Sequence, residues 1–288
     1  MRRLLFTLLL VLPLGLQAGT NVQGLLQMLD YVGVDYPAAV RDGRVVHQGE
    51  YEEMQDFANA IGEQVAGLPE QPAKPELVAE AERLKGLIAE RAPAGAIAGL
   101  ASAMRKRVLA HYEVTATPRR APDWQAAERV YADQCASCHG AGGRGDGDAA
   151  EGMDPAPIDF HDLARRDQRT LFGLYNTITL GVEDTEMQGF DGLTEDRRWD
   201  LAFYVAAMGA PAERVAAGKR VWREQGREAP LADLERVATT SPEEARAEYG
   251  ESGQALLAYL RRHPEVLLAA KGSPLDFAAH KLEESVAL

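Results

Sequence analysis

The stretch CASCHG, Cys135 to Gly140, holds the only two cysteines of the 288-residue chain, with His139 directly after the second. Two thiols and an imidazole this close together serve one local structure, so the fold must be built around them. The preceding run DWQAAERVYADQ repeats Trp124, Ala127, Val130 and Tyr131 at helical spacing, which delivers the cysteines at a helix end. A disulfide or redox-active Cys-x-x-Cys pair of the thioredoxin type sits at the strand-to-helix junction of a βαβ unit, and here a helix precedes it. A zinc site needs a fourth ligand and a second Cys or His pair. None stands at suitable spacing, and His161, the nearest histidine, is alone.

Cys-x-x-Cys-His is the attachment sequence of c-type haem. Two thioethers form to the porphyrin edge, and the adjacent imidazole reaches the iron from one face. One covalent haem c is expected, bound through Cys135 and Cys138 with His139 on the iron.

The amino terminus, MRRLLFTLLLVLPLGLQAGT, places Arg2 and Arg3 before an apolar run, with Ala18 as a cleavage residue. That is the form of a secretory signal. The apolar run is shorter than the roughly 20 residues of a spanning helix, and Pro13 interrupts it. A leader over 1–18 and a periplasmic mature chain are expected. The net charge of −13 argues against nucleic acid as a partner. Between Ala121 and Ala210 there are seventeen Asp and Glu against seven Arg and no Lys, a net of −10, so much of the excess sits around the cysteines. Such a surface steers a cationic partner or metal cations, or is simply solvated.

Either side of that region the patterns are helical only, punctuated by glycine and proline. The expected fold is mostly α. A helical domain spans 19–114, a linker TATPRRA lies at 115–121, the haem region runs 122–210, and a helical segment takes 211–288.

Over about Pro122 to Gly209 the chain resembles a class I c-type cytochrome domain. Tyr131 and Ala127 lie one and two turns before Cys135, and GAGGRGDGD follows the haem motif. DPAPIDF and the closing helix RRWDLAFYVAAMG come next. The resemblance implies a proline whose carbonyl accepts a hydrogen bond from His139; Pro157 is the first choice and Pro155 the second. It also implies a sixth iron ligand in a loop before the last helix. Met187, in GVEDTEMQGF, lies there; Met153 follows His139 too soon, and Met208 falls on the closing helix. A six-coordinate iron points to electron transfer.

The stretch LLQMLDYVGVDYPAAVRDGRVVHQGEYEEMQDFA resembles the amino-terminal region of bacterial iron permeases that carry a fused cytochrome c, and SPLDFAAHKLEESVAL resembles the stretch before their permease. The resemblance implies periplasmic one-electron transfer serving ferrous iron oxidation and uptake, with a permease or other redox protein as partner. The chain reaches Leu288 without transmembrane permease helices or an Arg-Glu-x-x-Glu motif, so it is expected to be a fragment, a split gene product or a free-standing subunit. A generic electron carrier between respiratory complexes is the alternative function. A haem peroxidase or sensor is a further one, and would require Met187 to leave the iron.

Glu50 and Glu53 form a Glu-x-x-Glu pair on one helix face and are candidate iron ligands, although the spacing is common on solvated faces. His47, His111, His263 and His280 read as surface or capping residues. His161 is expected near a haem propionate or at the surface.

Overall fold

The computed structural model describes residues 15–183 and 185–268, with side chains from 22 onward. The expected leader lies almost wholly outside the described residues, as do His280 and the stretch 273–288. Among the described residues, no helix is long and apolar enough to cross a membrane.

Four helices open the chain: α1 (Gly15–Ala39), α2 (Gln48–Gly67), α3 (Lys74–Ala89) and α4 (Ala94–His111). Their buried residues repeat at alternating spacings of three and four. Met54, Ala58, Ile61 and Val65 do so on α2, Leu77, Ala81, Leu84 and Ile88 on α3, and Ile97, Ala101, Met104 and Val108 on α4. That period makes one apolar stripe per helix, and the stripes meet Leu25, Leu26, Leu29 and Val32 of α1 in a shared core. Between α1 and α2 a minimal hairpin pairs β1 (Val40–Arg41) with β2 (Arg44–Val45). The His47 ring caps α2 by accepting from the Glu50 amide at 3.2 Å.

The haem region follows with α5 (Trp124–Gln134), α6 (Ala136–His139), α7 (Leu163–Arg166), α8 (Leu171–Leu180) and α9 (Glu195–Ala207). The segment leading into it is tied down. Arg120 donates to Asp196 and to buried Asp200, and Asp200 also accepts from the Asp123 amide at the start of α5. The carboxy-terminal segment adds α10 (Ala212–Gln225), α11 (Leu234–Thr239), α12 (Pro242–Arg262) and α13 (Glu265–Leu268). Gly218 of α10 lies against the backbone of α12, where a Cβ would sit 1.9 Å from the Ala255 carbonyl oxygen. The observed fold is mostly α, with the helices around the Cys135–His139 turn lying in sequence between two helical segments.

The three parts join through charged side chains in the interior. Arg105 of α4 is 3% exposed and pairs with Asp30 of α1 at 3.1 Å and Glu244 of α12 at 2.6 Å. Glu244 also closes the capping box of α12 with Ser241 and accepts from Ser102 of α4. Asp35 of α1, equally buried, pairs with Arg165 and Arg169 of the haem region. A buried ion deprived of its partner typically costs about 3–5 kcal/mol.

Burial alone would raise the Glu244 carboxyl, but Arg105, the Ser102 hydroxyl, the Ser241 amide and Lys106 outweigh it and hold it at about 2, below its ordinary 4.5. A carboxyl depressed on folding stabilises the fold above its unfolded value and loses that contribution as pH falls toward the folded one. Glu244→Ala should lower the unfolding free energy by about 3–5 kcal/mol in urea titrations at neutral pH. Glu244→Gln should flatten the stability curve between about pH 5 and 2. Asp30, raised by burial, works in the opposite sense, so the difference between the parent and Glu244→Gln isolates the Glu244 contribution.

Candidate haem site

Asp123 starts α5 by accepting from the Ala126 amide. Ala127 and Tyr131 face inward, and the Tyr131 ring meets Tyr204 of α9 at 5.4 Å. Small Ala127 allows this close crossing of the first and last helices of the region. The Tyr131 hydroxyl donates to the Gly140 carbonyl at 2.8 Å, which pins the chain just past His139.

The cysteines and the histidine then share one helical turn. The Cys135 amide bonds to Tyr131, and the His139 amide bonds to Cys135, both at 2.9 Å. Residues four apart on a helix lie on one face, so Cys135 and His139 point the same way. Both cysteines are half-buried free thiols. Burial, with Cys138 adding to it, pushes the Cys135 thiol up to about 11.

The glycine-rich loop after His139 folds back on this turn. The Gly145 amide donates to the His139 carbonyl at 2.9 Å, and the Phe160 amide donates to the Gly143 carbonyl at 2.8 Å. Those two bonds set the Phe160 ring on the His139 imidazole, with centroids 4.8 Å apart and 23° between planes. Gly145 has φ +72°, and a Cβ there would stand 2.2 Å from the Pro157 carbonyl oxygen. Pro157 therefore presents its carbonyl to Gly145. The carbonyl facing the imidazole belongs to Ile158, the next residue; it opposes the lowering of the His139 pKa by burial. The contact falls short of hydrogen-bond geometry, and the buried His139 Nδ1 has no formed partner.

The methionines separate by environment. Met208 is packed at Gly143 and Phe160, where its sulfur would lie 2.6 Å from a Gly143 Cβ. Met153 sits half-buried in the loop after the motif, its amide on the Ala150 carbonyl. Met187 is half-buried on a returning loop, its carbonyl accepting from the Val182 amide at 2.8 Å and its amide donating to Thr185 Oγ1 at 3.1 Å. His161 holds the glycine loop through Nε2 and the Gly142 carbonyl at 2.8 Å. Glu50 and Glu53 lie half-buried beside Tyr31, whose hydroxyl pKa they help to raise after burial and Asp35. Among the described residues, no group of three or more His, Cys, Asp or Glu is placed to hold a metal ion.

One feature carried no local sequence signal. Arg165, Arg166, Arg169 and, from α12, Arg261 line a small cavity together with Ile158, Phe160 and Leu174. Each of the four has a buried Nε without a partner. Arg261 is 3% exposed and donates to the Arg169 and Thr240 carbonyls. Burial, then Arg166, pushes its pKa down to about 9.

These residues fit haem c. Two free thiols and an imidazole share one turn, and partly covered Ala136, Phe160, Leu174, Ile178 and Leu193 make an apolar wall beside them. Gly145→Ala should cost about 2 kcal/mol or more, from positive φ and the Pro157 contact. It should also lower the yield of haem-loaded protein from a strain with cytochrome c maturation. Gly142→Ala, with open space around its Cβ, should stay within about 0.5 kcal/mol of the parent in thermal melts.

Two family models match the chain: the iron permease-associated 4-helix bundle domain over 16–113 and cytochrome c over 125–209. No curated protein and no solved structure gives a significant match. The first covers α1 to α4, and the second covers the haem motif through the closing helix α9. A cytochrome c domain carries covalently bound haem c and transfers electrons, and the bundle ties it to iron permeases. With both domains in one polypeptide and in this order, the chain matches the domain pattern of a cytochrome-fused iron permease family.

Proposed function

We propose that the chain takes single electrons from ferrous iron on the periplasmic side of a membrane and passes them to a redox partner, in service of an iron permease. The observation that carries this reading is the permease-associated bundle joined in one chain to the cytochrome domain. Each turnover removes one electron from a ferrous ion, leaving a ferric ion, and no proton or bond is exchanged. One haem c, cycling between ferric and ferrous states, would hold that electron between donor and acceptor.

The protein's part is to hold, insulate and tune that group. Cys135 and Cys138 would form the thioethers, and His139 and Met187 would hold the iron. A thioether ligand favours the ferrous state relative to a second imidazole. The Ile158 carbonyl, one residue beyond Pro157, would accept a hydrogen bond from the His139 Nδ1–H and keep the imidazole oriented. Arg165, Arg166, Arg169 and Arg261 supply cationic partners for the porphyrin's carboxylates, which would give buried Arg261 a counter-charge. The leader sequence supports the periplasmic location, and the acidic surface around the haem region would gather the iron cation.

Met187→Ala should abolish the far-red sulfur-to-iron absorption of the oxidised protein, lower its potential and open the iron to cyanide. Met153→Leu and Met208→Leu should do none of these. An unchanged spectrum in Met187→Ala would place the ligand elsewhere and favour the peroxidase or sensor reading.

Mixed anaerobically with ferrous ions, the oxidised holoprotein should be reduced at a rate that saturates with iron concentration. Salt should slow the reaction, because screening limits exposed charge to about 8 Å at physiological strength. Glu50→Ala combined with Glu53→Ala should weaken the apparent affinity if that pair receives the ion. A rate that stays linear, indifferent to salt and no faster than that of an unrelated cytochrome of similar potential would leave a generic electron carrier as the better account.

A further inference from the structure

We infer that the four-helix bundle positions the Met187 loop through Gln27, so that the sixth ligand of the haem iron is controlled from outside the cytochrome fold. This rests on the reading of Met187 as that ligand. The loop is a tight return. Gly181 bridges to Gln188, and the Val182 amide is bonded to the Met187 carbonyl. Gly181 has φ +78°, and a Cβ there would lie 2.5 Å from the Met187 carbonyl oxygen and 2.6 Å from the Gly189 nitrogen. The two limbs are thus in backbone contact, and a shift of Gly181 is felt at Met187.

Gly181 is held from two sides. Its amide donates to the Thr177 carbonyl at the end of α8, and its carbonyl accepts from the Gln27 side-chain amide of α1. Gln23, one turn earlier on the same face of α1, donates to Asn176 of α8 at 3.0 Å. The first amide therefore grips the helix, and the second grips the loop. Packing does little to fix the loop on this side. A cleft of about 420 Å3 separates Met28, Tyr31 and Phe57 of the bundle from Leu180, Val182 and Met187. With that space beneath it, the loop takes its position relative to α1 from the Gln27 contact. Gln27 is a positioning residue: it acts on Met187 through Gly181 and touches no reacting atom.

The test uses ferric holoprotein and three readouts: far-red absorption, the rate of cyanide binding, and hydrogen exchange of the Val182 amide. Gln27→Met keeps the side-chain length and loses the donor. It should speed cyanide binding by about three- to tenfold, the range expected for one net hydrogen bond, and weaken the far-red band. It should also raise Val182 exchange. Gln27→Lys, which retains an N–H donor, should restore most of the parent behaviour. Gln23→Met, which loosens α1 from α8 without touching the loop, should leave cyanide binding unchanged. Equal effects of Gln23→Met and Gln27→Met, or no effect of Gln27→Met while Met187→Ala loses the far-red band, would overturn the inference. If Met187→Ala itself keeps the band, the ligand reading fails first, and the role of Gln27 falls with it.

Discussion

A single buried guanidinium, that of Arg105, sets how the parts of this protein fit together. An interior cation is tolerated only where carboxylates and hydrogen bonds surround it. Asp30 comes from the first helix of the bundle and Glu244 from α12, so satisfying one charge brings α1, α4 and α12 together. Helix α8 of the haem region is drawn into the same place. A Cβ on Gly173 would stand 2.6 Å from the Asp30 carboxylate, so only a glycine lets α8 pack there. The second seam, Asp35 with Arg165 and Arg169, lies a little over one turn further along α1 and follows the same logic.

These seams give the molecule an unusual charge layout. The haem region is acidic in total, yet guanidinium groups crowd its contact with both helical flanks. Arg165 and Arg169 face the bundle through Asp35, Arg166 shares Asp167 with Arg214 of α10, and Arg261 arrives from α12. The outward surface carries negative charge suited to cations, while the inward contact carries positive charge beside the residues that frame His139. Part of the electrostatic environment of the redox centre is therefore built by segments that lie outside the cytochrome fold.

What the sequence disclosed and what it hid divide along physical lines. Helices with buried stripes at alternating three- and four-residue spacing are local patterns, and the bundle and α5 could be read from them. The cysteine–histidine set is also local, so its placement on one turn after α5 followed from spacing. Which carbonyl stands nearest the His139 ring was not legible to the residue. Proline marks where the chain turns, but whether the carbonyl of Pro157 or Ile158 faces the ring depends on how Gly145 packs, and that is a tertiary matter. Arg105–Glu244, Asp35–Arg165 and Gln27–Gly181 join residues more than 120 positions apart. The charged and amide side chains among them, each seen in its own helix, read as ordinary polar groups on a solvated face, and the Gly181 acceptor is a backbone carbonyl. Arg120 and Asp200, 80 positions apart, anchor the linker through another contact that no local pattern marks.

The double duty of Glu244 has a consequence for how the chain is made. Arg105 and Glu244 are 139 residues apart, so as the polypeptide emerges in order, the bundle is complete while Arg105 still has only Asp30 to answer it. Glu244 is also the residue that closes the start of α12 with Ser241. Initiation of that late helix and neutralisation of the early cation are then the same event. A nascent chain halted at the end of the cytochrome domain would hold a bundle with an under-compensated charge at its centre. For this protein, a helix made after the cytochrome domain completes the helices made before it.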